Sequence, residues 1–446
     1  MRRLLPLAFL VTLGAASGCA ARPPAGAIAR LEAKRAAHPD AARTLRALGI
    51  AYYEAGRYAE ARATLARARE LSPGDGVTAL YLGLSAERTG DLRTARDAYE
   101  SYVRHGRTSR VRRQLRDRLA ALARKELEVE AKQAVAQESA IGASTGSPTT
   151  VAVLPLDFNG SDSTLAPLGR GVADLIVTDL SRSSRLTVVE RDRLAALLDE
   201  LARSRSGAVD SATAVRSGRL ARAGRMVRGS ITQLAANSLR ADAAVVDVGT
   251  AKVGAPLGTD FALDAVFDAE KRIVFGALAD MGITLTPAER AAIEQRPTKS
   301  LAAFLAYSRG LAAEDAGRYD EARRLFEDAG RIDPAFGAAR AGAARAQATA
   351  AGSSTTPATI ESSLAGTSEG AIVAAAMSGT DAITGLATTA EAARDAINPS
   401  PASLAAGGTI VSIIPAKEGP AIATGGGDIV TVNSGKIVVK IPLPLP

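Results

Sequence analysis

The feature that most constrains the fold is a residue pattern that recurs at an interval of about 34 residues. The first copy extends from Leu45 to Pro73, and a shift of one interval yields the second copy without a gap. Small residues at Gly49 and Ala61 let two helices approach closely, and Pro73 stops the second helix. The matching positions are Leu48, Gly49, Tyr52, Gly56, Tyr58, Ala61, Leu65, Ala68 and Pro73, then Leu82, Gly83, Ala86, Gly90, Leu92, Ala95, Tyr99 and Tyr102. The pattern predicts stacked helix–turn–helix units with these residues in the core.

This pattern resembles the tetratricopeptide repeat. Residues 24–38 look like the second helix of a half repeat, and an arginine-rich helix after Arg104 is predicted to cap the array as far as about Ala136. The repeat domain is therefore predicted to span residues 24–136. Residues 301–349 resemble a single further repeat with a capping helix, which must pack on a neighbouring domain or on the helix at 335–349. Its signature residues are Gly310, Ala313, Gly317, Tyr319, Ala322, Phe326, Ala329 and Pro334.

The resemblance implies that partners bind on the face formed by the first helix of each repeat. Projecting the interval onto this face gives candidate protein-binding residues that would line a groove for a peptide segment. These residues are Arg46, Ile50, Tyr53, Glu54, Tyr81, Leu84, Glu87 and Arg88. A face that is merely packed on its own domain fits the same pattern equally well, so the two interpretations remain open.

A Ser, Gly, Ala and Pro-containing linker at 137–148 separates the repeats from a region with strand periodicity. Strands are predicted at 151–158, 186–190, 226–234, 239–248 and 261–266, and helices at 168–183, 192–203 and 211–223. A helix start is predicted at Thr286-Pro287, with Glu289 in the first turn. Strands that alternate with helices and are followed by hairpins indicate an α/β sandwich with a mixed sheet. We assign this domain to residues 149–300.

The same region resembles the CsgG family of curli secretion components and the related TolB-like amino-terminal domains, over about residues 149–250. The residues that carry the resemblance are Val151 to Asp157, Gly171, Leu175, Leu180, Leu186 to Arg191, Leu194, Leu198, Glu200, Val227 to Ile231 and Ala244 to Thr250. Pro155 is expected to end an edge strand, and Gly171 to let a helix approach the sheet. Glu190 and Arg191 mark a corner where a structural ion pair is expected rather than catalysis. The strands between Arg225 and Phe267 are expected to be short.

The amino terminus has the features of an export signal in residues 1–18. Arg2 and Arg3 precede an apolar run, and the run Ala16-Ser17-Gly18-Cys19 resembles the bacterial lipobox, in which the cysteine is acylated. Ala16 departs from the leucine that usually stands there, and an ordinary signal peptide is the alternative. Ala20 follows the cysteine where lipoproteins retained in the inner membrane typically carry Asp. The resemblance therefore implies a lipid anchor at Cys19 in the outer membrane, facing the periplasm.

Composition excludes several function classes. The chain has one Cys and two His among 446 residues, which argues against a Zn, Cu or haem site. No nucleophile with a base and no phosphate-binding glycine loop followed by Lys and Ser or Thr is present. Asp157 and Asp162 form a carboxylate pair in sequence only. The net charge of +8 comes without interleaved aromatics, which argues against nucleic acid. We therefore expect no enzyme activity, no cofactor and no metal site.

Residues 350–446 are rich in Ser, Thr, Ala and Gly, which predicts a low-complexity tail. Weak helical patterns occur at about 368–377 and 388–396, and short strands are predicted at 409–414, 428–432 and 436–441. No function follows from this composition.

The overall prediction is a multidomain protein that binds envelope or secreted proteins through its repeats and the membrane through its lipid anchor. Its function would be a scaffold or assembly factor for envelope or secretion machinery. The first alternative is a CsgG-type oligomeric secretion channel component, in which the chain is a homo-oligomer. The second is a cell-wall polysaccharide-binding module, which the scarcity of aromatic residues disfavours.

Overall fold

A computed structural model describes residues 25–141, 146–204 and 211–380, together with three short strands between 421 and 440. The predicted signal segment, residues 1–18, and Cys19 lie outside the described residues. The chain forms two compact units. We call residues 1–112 with 357–446 the repeat unit, and residues 113–356 the central unit.

The repeat unit contains paired helices where the 34-residue interval predicts them. Its amino-terminal helices are α1 (Ala25–Ala37), α2 (Ala42–Glu54), α3 (Tyr58–Leu71), α4 (Gly76–Arg88) and α5 (Leu92–His105), and α6 (Ser109–Ala136) contains the boundary between the units. The predicted small positions allow close packing, because a Cβ on Gly49 would lie 2.4 Å from Leu65 and one on Gly83 2.4 Å from Tyr99. Gly56 and Gly90 adopt φ of +78° in the turns, a conformation that glycine adopts without strain.

The tail contributes two helices to the repeat unit. They are α16 (Pro357–Ser362) and α17 (Ser368–Met377), the second at the weak pattern noted in the sequence. Three strands, β7 (Ala421–Thr424), β8 (Asp428–Asn433) and β9 (Lys436–Lys440), pair antiparallel in the order β7-β8-β9. The last two match predicted strands, whereas the predicted patterns at 388–396 and 409–414 lie outside the described residues.

The central unit is built around a mixed sheet with strand order β3-β1-β4-β5-β6, in which β2 also pairs with β4. The pairs β1–β3, β1–β4 and β2–β4 are parallel, and β4–β5 and β5–β6 are antiparallel. The strands are β1 (Thr150–Val153), β2 (Asp157–Asn159), β3 (Thr187–Val188), β4 (Arg225–Ala235), β5 (Ser238–Asp247) and β6 (Leu257–Ala262). The helices up to β6 are α7 (Glu138–Ile141), α8 (Leu168–Leu180), α9 (Arg191–Ser204) and α10 (Ser211–Leu220). The short helix α7 lies within the predicted linker.

The sheet is buried on both faces. Successive residues of a strand point to opposite faces. Val151 and Val153 of β1 join one apolar cluster, while Ala152 of β1 and Leu154, just after the strand, join another. The first cluster includes apolar residues of α8 and of helix α11 (Val266–Asp280), and the second includes those of α9 and α10. This arrangement is the α/β sandwich that the sequence predicts.

Four local predictions need correction. Pro155 does not end an edge strand, because β1 lies between β3 and β4 and the chain resumes pairing with β4 as β2 after the proline. Gly171 faces Ser308, since a Cβ there would lie 2.0 Å from its Oγ, and Gly169 is the glycine that approaches Leu156 next to the sheet.

The third correction concerns the strands between Arg225 and Phe267, which were expected to be short. Strands β4 and β5 have 11 and 10 residues, with the predicted turn between them. The fourth concerns the strand predicted at 261–266. It is instead β6, which ends at Ala262 and leads through a short 3₁₀ turn into α11. Phe261 and Val266 are both buried, so apolar character alone did not distinguish strand from helix.

The third repeat consists of α13 (Leu301–Asp315) and α14 (Tyr319–Ile332), followed by α15 (Gly337–Ser354). It packs both on α8 and on α15, so both of the predicted packing partners are used. The preceding helix α12 (Pro287–Glu294) begins with a reciprocal capping box between Thr286 and Glu289, as the sequence predicts. Within the described part of the chain, no helix has the length and apolar character needed to cross a membrane.

Candidate functional site

The candidate groove of the repeats is centred on three tyrosines. The Tyr53 ring meets the Tyr81 ring edge-on, with centroids 5.3 Å apart and planes at 86°. It also meets the Tyr58 ring at 5.4 Å and 60°. Edge-to-face contacts of this kind favour one rigid arrangement of the rings. The pattern placed Tyr53 and Tyr81 on one face, and the structure brings them together.

The other predicted groove residues fall into two groups. Ile50 and Leu84 are fully buried. The charged residues join helices of the array: Arg46 pairs with Asp75 at 2.6 Å, and Glu87 accepts a hydrogen bond from the Tyr99 hydroxyl at 3.0 Å. These residues stabilise the repeats whether or not a partner is bound.

Arg88 and Glu54 lie beside the tyrosines. The Arg88 guanidinium is 4.5 Å from the centre of the Tyr58 ring and donates to its hydroxyl. The Tyr81 hydroxyl is 3.4 Å from Oε1 of Glu54. The predicted face is therefore a rigid aromatic surface with one carboxylate and one cation at its edge.

This face is covered by residues 357–380 of the same chain, which we call the covering segment. Helix α17 packs on α2, and the Tyr53 hydroxyl donates to Oε1 of Glu361 at 2.7 Å. Ile360 and Leu364 are 1% and 2% exposed. The structure thus shows residues of the same chain on this face, and binding of another protein there stays a prediction.

Glu369 is the strongest polar contact of the covering segment. It is 3% exposed, and its Oε2 accepts hydrogen bonds from the Tyr102 hydroxyl at 2.6 Å and from the Thr108 amide at 3.0 Å. Its Oε1 accepts from the Arg107 amide at 2.9 Å. The two amides precede α6, where unpaired backbone N–H groups favour an anion. The carboxylate therefore satisfies a helix start that the array itself leaves open.

The other end of α17 contacts α1. Arg30 donates to the carbonyl of Ser378 at 2.9 Å, which complements the negative end of the helix dipole. Gly379 has φ of +73°, and a Cβ there would lie 2.9 Å from Cα of Ala27. The segment thus has directed contacts near both ends.

The carboxyl groups of Glu54 and Glu361 lie at the hydroxyls of two neighbouring tyrosines, Tyr81 and Tyr53. Burial, then the charge of Glu361, raises the pKa of Glu54 to about 7 against the opposing hydrogen bond from Tyr81. Burial also raises the pKa of Glu361, although its hydrogen bond from Tyr53 and the charge of Arg88 oppose the shift. Near neutral pH the groove therefore holds a carboxyl pair that repels when both members are ionised.

Sequence reasoning missed Glu361 and Glu369. The helical pattern at 368–377 was visible, and Thr367 with its side chain accepting from Gly370 is an ordinary helix start. Nothing in that pattern specifies which helices the segment contacts. Only the pairing over 308 residues between Tyr53 and Glu361 reveals the role.

Arg191 is the centre of a charged cluster in the central unit. Its guanidinium contacts Asp315, lies 2.8 Å from Glu314 and 3.5 Å from Asp174, and also pairs with Asp192. Arg345 binds the same Glu314 through two hydrogen bonds of 2.7 Å. The structural ion pair expected at this corner exists, with carboxylates of α8 and α13 as partners, whereas Glu190 is exposed. The cluster joins the third repeat to the sheet domain.

A second buried charged group lies between α8 and α11. Lys271 contacts Asp179 and lies 3.1 Å from Glu270. Burial raises the pKa of Glu270 to about 8 against the attraction of Lys271. Lys271 of α11 is shared by Asp179 of α8 and Glu270 of its own helix, so its charge joins the two packed helices.

The sheet domain also has an open depression with a volume of about 340 Å³, lined in part by Pro155, Asp157, Arg228 and Asp242. Asp162 is engaged locally, since it accepts from the amide and hydroxyl of Thr164. Across the described ranges, no group of three or more His, Cys, Asp and Glu residues is placed to hold a metal ion.

Comparison with protein families identifies both folds. Residues 20–87 match the tetratricopeptide repeat family. Residues 130–253 match the family described as curli production assembly/transport component CsgG. No curated protein matches the chain. Both families are in general non-enzymatic, and tetratricopeptide repeats generally mediate protein–protein interaction. The chain therefore combines tetratricopeptide repeats with a CsgG-like domain, as the sequence patterns predict.

Proposed function

We propose that this chain of tetratricopeptide repeats and a CsgG-like domain is a periplasmic lipoprotein of the outer membrane, anchored through Cys19. In this proposal it is a protein-binding scaffold or assembly factor for envelope or secretion machinery. The observation that carries the proposal is the tyrosine face of the repeats, which holds a helical segment through the Tyr53–Glu361 contact. Helix-in-groove recognition is a general mode of peptide binding.

The anchor is tested by replacing Cys19. Several acyl chains on one residue stabilise membrane association, at about 0.8 kcal/mol per buried CH₂. The wild type is expected in the outer-membrane fraction, and Cys19→Ser in the soluble periplasmic fraction. Ala21→Ser, two residues further along, is the matched control and should remain in the membrane fraction. Continued membrane association of Cys19→Ser would contradict the anchor.

The scaffold is tested by the oligomeric state of the detergent-extracted full chain. A monomer or small oligomer on a sizing column, together with recovery of a defined envelope partner that Tyr53→Ala weakens, supports a scaffold. Tyr58→Ala is a useful comparison, because it removes a ring that contacts Tyr53 but keeps the Tyr53 hydroxyl, which donates to Glu361. Equal recovery of the partner by the wild type and Tyr53→Ala would contradict binding through the groove.

A second candidate is an oligomeric secretion component, which the description of the matched family favours. Its signature would be a closed ring of many copies in images of the extracted protein. In the described sheet, β4 and β5 are hydrogen-bonded on both sides and bury apolar side chains such as Val227 and Leu239. This packing favours the scaffold over a role in which these strands leave the sheet.

A further inference from the structure

The covering segment differs from the repeats in the way it is held. Its contacts are a few directed polar groups, at Glu361, Glu369 and Ser378, and a small apolar patch that includes Ile360 and Leu364. The repeat helix α2 instead packs on three neighbours within the array, α1, α3 and α4, whereas the main helical neighbour of α17 is α2. The segment therefore contacts the array as a bound peptide does.

Its position in the chain also separates it from the array. The segment follows α15 after only Thr355 and Thr356, and the family match for the repeats ends at residue 87. Glu369 lies 267 residues along the chain from Tyr102, and it accepts a hydrogen bond from the Tyr102 hydroxyl. The array thus receives this helix from a distant part of the sequence.

One contact opposes binding. Glu361 accepts from the Tyr53 hydroxyl at 2.7 Å, and the neighbouring Tyr81 hydroxyl lies 3.4 Å from Glu54, so the segment adds a second carboxylate to this side of the groove. Two part-buried carboxylates repel when both are ionised, and this repulsion raises the free energy of the covered state. The arrangement limits the affinity of the segment for the groove.

We infer that the covering segment is a removable internal ligand, which closes the groove of the repeats to a helical peptide of the same chemistry from another protein. The matching peptide carries two glutamates eight residues apart, one for the Tyr53 hydroxyl and one for the Tyr102 hydroxyl and the amides before α6. Apolar residues equivalent to Ile360 and Leu364 lie close to the first glutamate. This inference rests on the proposed protein-binding function of the repeats and specifies its ligand.

The physical reason for closure is effective concentration. A segment tethered to the same chain competes at a local concentration in the millimolar range. A separate peptide with the same contacts, supplied at micromolar concentration, cannot displace it. A partner must therefore bind more tightly than the segment or act after the segment has been released.

The test uses the full chain and a fluorescein-labelled peptide of residues 357–380, with binding followed by fluorescence anisotropy. Leu364→Asp places a charge at a buried position of the segment and should release it, and Glu369→Ala should do so by removing the acceptor for Tyr102. Both variants are expected to bind the peptide at least about 100-fold more tightly than the wild type. Glu100→Ala is the matched control, since Glu100 is exposed and lies 4.0 Å from Arg104, and it should behave as the wild type.

Two results would overturn the inference. The first is equal binding of the peptide by the wild type and by folded Leu364→Asp, which would mean that the segment does not close the groove. The second is the absence of peptide binding by both variants while circular dichroism shows that they remain folded.

Hydrogen exchange of the wild type tests the inference without any substitution, so it remains informative if the variants fail to fold. Amides of 368–377 should exchange through local opening, faster than those of α2 and α4. Exchange only by global unfolding would show that the segment is a fixed part of the core. Failure here leaves the proposed scaffold intact, because partner recovery by the wild type and its loss in Tyr53→Ala are measured separately.

Discussion

At the scale of single residues, the groove is decided by pairs that are distant in sequence. Tyr53 was a candidate for contact with a partner protein, and its hydroxyl donates to Glu361 of the same chain. The Glu54 carboxyl lies beside this contact, so its ionisation is linked to coverage of the groove. The linkage follows from the physical rule that a state binding a proton more tightly is favoured at low pH.

This linkage predicts a pH-dependent groove. Burial and then the charge of Glu361 raise the pKa of Glu54 to about 7 in the covered groove. Protonation of Glu54 therefore favours the covered state most fully below its ordinary pKa, and that contribution is lost as the pH rises through about 7. The labelled 357–380 peptide should bind Leu364→Asp about tenfold more tightly at pH 5.5 than at pH 8, since one pKa unit corresponds to a factor of ten.

The matched variants add Glu54→Gln or Glu100→Gln to Leu364→Asp. Glu54→Gln should reduce the pH dependence, and Glu100→Gln should leave it unchanged. A pH dependence that persists unaltered in Glu54→Gln would assign the effect to another group. The groups around Glu54 are Glu361, Tyr81 and Tyr53. The positive charge of Arg88 opposes the rise in the pKa of Tyr53 and of Glu361.

At the scale of elements, glycines decide how closely helices approach. Gly310 of α13 lies against the Phe326 ring of α14, and Gly342 of α15 lies on the same ring. A Cβ at these positions would lie 2.6 Å and 3.0 Å from ring carbons. The ring is held between two helices and has little space to move.

Gly310→Ala should therefore destabilise the protein by about 1–3 kcal/mol through overpacking. Gly330→Ala, inside α14, is the matched control, because its Cβ would meet only Arg340 at 3.7 Å, an ordinary contact. There the higher helix propensity of alanine should stabilise by about 0.5–1 kcal/mol. Urea denaturation measures both changes. Opposite signs are the expected result, and a loss of stability in both variants would show that Gly330 is also constrained.

At the scale of the whole molecule, the chain crosses between its two units twice, near Arg112 and near Thr356. Within the central unit, the CsgG-like domain and the third repeat are joined by the Arg191 cluster and by the Tyr307 hydroxyl, which donates to Asp174 at 2.8 Å. Because one guanidinium serves carboxylates of both parts, these two domains are expected to unfold together.

Arg191→Met should cost about 3 kcal/mol, since it removes the cation that lies between the part-buried carboxylates of Asp174, Glu314 and Asp315. Arg203→Met is the control, because the Arg203 side chain is 60% exposed and pairs with Glu200 of its own helix. Its effect should stay within about 0.5 kcal/mol. Calorimetry of the full chain measures both, and Arg191→Met should also separate the transitions of the two domains. Equal stability of the two variants would show that the Arg191 cluster does not couple the CsgG-like domain to the third repeat.

The sequence by itself determined the features that depend on local periodicity. The 34-residue interval specified helix pairs and their glycines, and Thr286 with Glu289 specified a helix start. These signals are local, because spacing along the chain fixes which face a side chain occupies. The positions of Arg46, Tyr53 and Tyr81 on the first helices follow from the same rule.

Only the tertiary structure decided what covers the groove and what surrounds Arg191. Glu361 and Glu369 lie in a weak helical pattern, and their partners are 308 and 267 residues away. Likewise, Arg191 meets Asp315 across 124 residues. No periodic signal encodes such pairs, because a contact between distant segments depends on the packing of whole elements and not on spacing within one.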